Sequence, residues 1–252
     1  MSLLSPTQEI IPHIEALRKT LLLCIGAVFV LYIPAYAAAP WCIKLLTAWA
    51  CPASLGPLNY FSPMEAFLVR LKFSLVLSLV FSYPWCVFRI WNYVAPALYE
   101  REKRAARFWV TAASLLFLAG AVFCVVFVLP LIMKFSAGYA SDALKPVIGL
   151  AHFIDLCGML ALAFGTVFQI PLVVLIAVRF RIISVEFLKE KRPYVITVLL
   201  IIAAILTPPD VVSQLMLFFP SWLLYEVGVF LAGRLPRGTE TAVGTRLKNK
   251  SL

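Results

Sequence analysis

The sequence predicts an all-α integral membrane protein, one domain over residues 1–252 built as a bundle of six transmembrane helices. Three observations predict it. Hydrophobic residues make up 63% of the chain and charged residues only 13%, against about 25% charged in an average soluble domain, and the mean hydropathy is +0.96. A bilayer core of about 30 Å takes roughly 17–25 helical residues, and the apolar runs 21–39, 67–88, 108–132 and 153–178 meet that need, with two more at 194–207 and 211–231 split by Pro208, Pro209 and Asp210. Third, the Lys and Arg residues alternate with those runs in a one-sided way. No polar or Ser/Gly-rich linker long enough to separate two domains interrupts the pattern.

The net charge of +10 would suit nucleic acid in a soluble protein, but here its distribution carries the meaning. Of the 22 Lys and Arg residues, 17 lie before the first run, in 89–107, in 179–192 or beyond Gly233, while Lys44, Lys134 and Lys145 lie on the opposite side and Arg70 and Lys72 fall inside the second run. Cationic loops stay inside, so an even number of spans puts both the 1–20 segment and the 233–252 tail in the cytoplasm. The partner implied is the lipid bilayer, not nucleic acid. The first run lacks a small-residue cleavage site, which argues for a retained span over a signal peptide.

In chain order, Ile10, Ile14, Leu17 and Leu21 recur at helical spacing among Glu9, Glu15, Arg18 and Lys19, which predicts an amphipathic helix along the inner interface. Pro12 is expected to limit how early it starts, and His13 reads as a solvated interfacial histidine. After the first span, Trp41, Trp49 and Tyr60 among prolines predict a short surface helix and a turn at the outer headgroup layer. Ser62-Pro63 is a helix start. The second helix then exceeds the bilayer core and must tilt or protrude, which keeps Glu65, Arg70 and Lys72 near water. The third span is expected to end near Pro130.

The fourth span carries Gln169, an amide that needs a partner in lipid and reads first as interhelical glue, and Pro171, which frees the Val167 carbonyl and predicts a kink. Ser184 followed by Glu186 marks another helix start. The fifth run, 14 residues or about 21 Å as helix, is too short to cross. Asp210 is placed to cap the sixth helix, Gln214 follows it, and Glu226 needs a partner at membrane depth. The six cysteines form no C-x-x-C pair. Cys24, Cys86, Cys124 and Cys157 read as small buried hydrophobes, while Cys42 and Cys51 share a loop, so that a disulfide between them stays open.

The most polar stretch is 91–107, WNYVAPALYEREKRAAR, where Glu100 and Glu102 sit among Arg101, Lys103, Arg104 and Arg107. Acids contribute little to orientation, so this loop reads either as a solvated orienting loop or as one that recognises a ligand. No G-x-S-x-G, H-E-x-x-H or phosphate loop occurs, so no enzyme and no cofactor is implied. A secondary transporter of a small solute or ion is the alternative function, but no half-to-half repeat of the kind such proteins show is visible.

Taken together, HIEALRK, FSPMEAFLVRLK, WNYVAPALYEREKR, FGTVFQIP, KEKRPY and ILTPPDVVSQ, in this order between six spans, resemble the TatC family, the polytopic core of the twin-arginine protein translocase. The resemblance implies a cupped bundle with short fifth and sixth helices in the bacterial inner membrane. It also implies a receptor for twin-arginine signal peptides of folded cargo, single-span partners related to TatA and TatB in a multi-subunit complex, and transport driven by the proton-motive force. The signal-recognising positions it implies are Glu102 and Tyr93, supported by Pro84, Arg104 and the N-terminal segment with Glu15 and Arg18. Two departures stand out. The N-terminal acid of the family falls on Ala16, one residue after Glu15 and about 100° away on a helix, and the family's intramembrane acid is Gln169, which does not titrate.

Overall fold

The computed structural model describes residues 6–52, 56, 58–94, 103–138, 147–207 and 211–234, with only the backbone described at 6–13, 94, 103–106 and 212. Helices follow one another as α1 (Pro6–Ala50), α2 (Pro63–Val94), α3 (Lys103–Phe123), a π turn at Cys124–Val128, α4 (Leu129–Ala137), α5 (Leu150–Val167), α6 (Ile170–Arg179), α7 (Val185–Glu190), α8 (Arg192–Leu206) and α9 (Val211–Gly233). Among the described residues, four segments are long and apolar enough to cross a membrane: Ile14–Ala50, Arg107–Ala137, Leu150–Arg179 and Ser213–Gly233. The 32-residue α2 is long enough but carries Glu65, Arg70 and Lys72. The 15-residue α8 reaches only about 22 Å, as expected of the fifth run.

The first expectation to fail is the division of the N-terminal region into an interfacial helix, a span and a surface helix. One 45-residue helix runs from Pro6 to Ala50 through Pro12, Pro34 and Pro40, about 68 Å at 1.5 Å per residue. A proline inside a membrane helix is tolerated where a neighbour satisfies the carbonyl it frees. Pro40 frees the Tyr36 carbonyl, and Arg70 of α2 supplies it with Nε–H and Nη2–H at 3.3 and 3.1 Å.

The third span also outlasts its predicted end. Pro130 would take a donor from the Val126 carbonyl, and the chain widens into the π turn before it, so the helix continues as α4 to Ala137. At Pro171 the reverse holds, because the predicted kink is a full break between α5 and α6. Phe168 N–H still reaches Phe164 O at 2.9 Å, but Gln169 N–H tightens onto Thr166 O at 3.0 Å before α6 restarts with Pro171 near its beginning.

Asn59 and Gly149 form a parallel bridge, with Asn59 N–H on Ile148 O at 3.1 Å and Leu150 N–H on Asn59 O at 2.7 Å. This ties the start of α2 to the start of α5 and defines the bridge end of the bundle. Packing is layered from there. Ala39, Ala50, Val69, Phe73, Leu129 and Phe153 fill the bridge end, and Cys124, Leu160, Phe164, Ala203 and Leu217 the middle. At the opposite end two clusters form around Trp109 and Leu172 and around Tyr225 and Val229. Small residues set the closest approaches. A Cβ on Gly120 would stand 2.5 Å from the Phe164 carbonyl oxygen, and one on Gly228 would stand 2.9 Å from Pro171 Cα.

Candidate functional site

Three elements converge at the end opposite the bridge. α1 and α2 are antiparallel, Tyr36 lying against Arg70 and the Cys24 and Cys86 thiols in contact, so the N-terminal part of α1 lies beside the last turns of α2. Glu15 and Arg18 are exposed there, Tyr93 is half-buried in the last turn of α2, and Pro84 lies half-buried inside that helix. The α3 start joins them through Trp109, whose cluster includes Val87 and Trp91. Glu100, Glu102 and Asp210, and the side chains of His13 and Arg104, lie outside the described residues.

Around this end, cations lie on aromatic faces: Arg89 over Trp85 at 4.6 Å, Arg179 over Trp109 at 5.7 Å, and Lys191 over Tyr194 at 5.5 Å. Such pairs suit the membrane–water boundary, where an apolar body carries a charged tip. Among the described residues, Arg89 Nε and Trp91 Nε1 are buried without an acceptor.

The intramembrane polar residues are held by other helices. Gln169 donates from Nε2 to the Ala113 carbonyl of α3 at 3.0 Å, the glue role expected of it. Gln214 donates to the Leu200 carbonyl of α8 at 3.2 Å, pinning the short helix to α9. Glu226 meets Arg192 at the start of α8 at 2.6 Å. That contact, together with the Tyr225 hydroxyl on Leu188 O at 2.9 Å, clips α7, α8 and α9 into one corner. Ser184 caps α7 by accepting from Phe187 N–H at 3.1 Å. All six cysteines, Cys42 and Cys51 included, are free thiols.

Sequence reasoning missed two polar contacts. Arg70 does not reach for water but stacks over the Tyr36 ring at 4.1 Å while serving its carbonyl, and Pro40 four residues after Tyr36 was the available signal. Lys72 bridges both carboxylate oxygens of Asp155 on α5, at 3.0 and 2.9 Å, a pairing across 83 residues that no local pattern carries. Near the bridge, Glu65 accepts from Phe61 N–H at 2.7 Å and from Ala151 N–H of α5 at 3.1 Å. These backbone donors hold its carboxyl below the usual carboxylate range, with a further small pull from His152.

Residues 12–220 match the family described as TatC, Sec-independent protein translocase protein. The chain is 34% identical over 221 residues to the Sec-independent protein translocase protein TatC of Carboxydothermus hydrogenoformans, covering 87% of this chain and 90% of that one. To the protein of the same name from Escherichia coli K12 it is 34% identical, covering 90% and 88%. Among solved structures it is similar to the crystal structure of the twin-arginine translocase receptor TatC in the detergent DDM, with a TM-score of 0.79 and 30% identity over 87% of this chain and 99% of that one.

Proposed function

The chain belongs to the TatC family of Sec-independent protein translocase proteins, and on that premise we propose that it captures twin-arginine signal peptides of folded cargo at the end opposite the bridge. In this reading the chain makes six membrane crossings in the bacterial inner membrane, with both termini and that end in the cytoplasm. Single-span TatA- and TatB-type proteins complete a multi-subunit translocase driven by the proton-motive force. α2 and α8 then count as crossings although one is charged and the other short. The partners found for Arg70, Lys72 and Glu226 make their charges tolerable at membrane depth, and Arg192 anchors α8 at one end.

What supports the site is that the exposed Glu15 and Arg18 on α1, Tyr93 on α2 and the start of α3, the helix that the Glu102 loop leads into, all lie toward the end opposite the bridge. The loop is net positive, so a peptide with two adjacent arginines needs a locally placed acid. A carboxylate accepts the guanidinium fork bidentately where lysine offers only a point charge. Glu102 is that acid, with Arg104 and Pro84 in support. The test is cross-linking of a twin-arginine peptide, with a twin-lysine control, to membranes carrying Glu102→Gln or Glu100→Gln. Loss of a charge-assisted bond of about 1.5–3 kcal/mol weakens capture roughly tenfold to a hundredfold for Glu102→Gln alone. Equal capture by both variants, each correctly inserted, refutes the assignment.

A further inference from the structure

Lys72 and Asp155 pose a problem that neither the fold nor the recognition site explains. In the six-crossing reading, on which this inference rests, they are ionisable groups on helices that cross a membrane, yet their side chains are 56% and 49% exposed. Asp155 lies five residues below the start of α5 and Lys72 nine below the start of α2, about 7 and 14 Å along their axes. Ionised groups at such depth face a bundle interior or water, because hydrocarbon offers them nothing.

The pair does not exhaust itself. One ammonium spans both carboxylate oxygens, and with both side chains about half exposed at least one N–H and several oxygen lone pairs are left for solvent. It also continues a polar track from the bridge end. Glu65 lies seven residues before Lys72 and so on the same face of α2, and His152 lies three before Asp155 on the same face of α5. Glu65 bonds across to the Ala151 N–H of α5, next to His152 in the chain, which places all four residues along one seam.

We propose that the seam between α2 and α5 is a water-filled notch running from the bridge end past the Lys72–Asp155 pair to the next turn of α5, so that the pair stays ionised and the headgroup layer dips along this face. Water fits because the free groups are both donor and acceptor and lie open to one side. A partner helix lying on the seam would instead exclude water there.

The test is the reactivity of thiols toward a charged, membrane-impermeant methanethiosulfonate reagent, applied to each face of sealed membranes in turn, with each modified peptide identified by mass spectrometry so that native cysteines do not interfere. Met159→Cys sits one turn below Asp155 on an exposed face, and Leu131→Cys on α4 is similarly exposed and about 9 Å from the helix end at Ala137, with no ion pair beside it among the described residues. A thiol in water ionises and reacts, while one in lipid stays protonated. Met159→Cys is expected to react at least about tenfold faster than Leu131→Cys, the ratio of a one-unit difference in thiol acidity. Replacing the pair with leucines, Lys72→Leu with Asp155→Leu, should bring Met159→Cys down to the Leu131→Cys rate, whereas the swap Lys72→Asp with Asp155→Lys should keep it fast. Equal rates for the two cysteines with the native pair in place overturn the proposal, as does fast labelling that survives the leucine pair. If the leucine pair fails to insert, the first comparison still decides.

Discussion

Arg70 should be needed because of Pro40, and a double-mutant cycle measures that dependence. Arg70→Met removes two charge-assisted N–H contacts to Tyr36 O and the stack on the Tyr36 ring. In the Pro40 background it also leaves a carbonyl without any donor, which costs about 1–3 kcal/mol, and the lost stack adds about 0.5–1 kcal/mol. The cost of holding an arginine in the membrane does not enter, because α2 is already inserted before the helices associate. Pro40→Ala restores an N–H to the same carbonyl, so in that background Arg70→Met loses the stack but orphans nothing. The coupling between the two substitutions is therefore about 1–3 kcal/mol, with Arg70→Met milder when Ala occupies position 40. Denaturant unfolding of the purified protein in mixed micelles, followed for the four variants, reads it. A coupling within about 0.5 kcal/mol of zero, the level of independent sites, would show that Arg70 is not the surrogate donor and would refute the reasoning.

The other predictions rest on single contacts. Gln169→Leu should cost about 0.6–2 kcal/mol of helix association by the same assay, and Gln169→Glu, when ionised, should be worse than Leu, because it sets an acceptor against the Ala113 carbonyl. Glu65 holds its proton less tightly than a free carboxyl, so its contribution to stability is complete above the ordinary carboxylate pKa of about 4.3 and is lost as the pH falls through its own lower value. Acid unfolding of Glu65→Gln should lack that component, and an unchanged acid limb counts against the clamp. Gly120→Ala should cost about 1–3 kcal/mol by forcing backbone apart at Phe164, measured as a fall in melting temperature, since no flexible side chain stands ready to yield. Glu226→Gln should loosen the α7–α9 corner by about 1–2 kcal/mol, less than a fully buried pair because both side chains are partly exposed, and Arg192→Glu with Glu226→Arg should recover most of it.

Much of the membrane architecture was legible because hydropathy is a local property. The apolar runs, the disturbance of the helix at Pro171, the separation of α8 from α9, the short α8 and the Ser184 cap follow from neighbours within a turn or two. The ordered motifs identified the family for the same reason, and Gln169 was read as glue because an amide in lipid must find some partner. The end of the third span near Pro130 and the division of α1 into pieces were misread, because a proline ends a helix only where nothing else accommodates it. A π turn ahead of Pro130 and the guanidinium of Arg70 beside Pro40 do so here. Which partner each charge takes was decided in three dimensions: Lys72 by Asp155 on α5, Glu226 by Arg192 on α8, and Glu65 by an N–H of α5. Composition states that a charge in a membrane helix needs an answer, but the answer lies tens of residues away, where only the packing of the helices brings it within 3 Å.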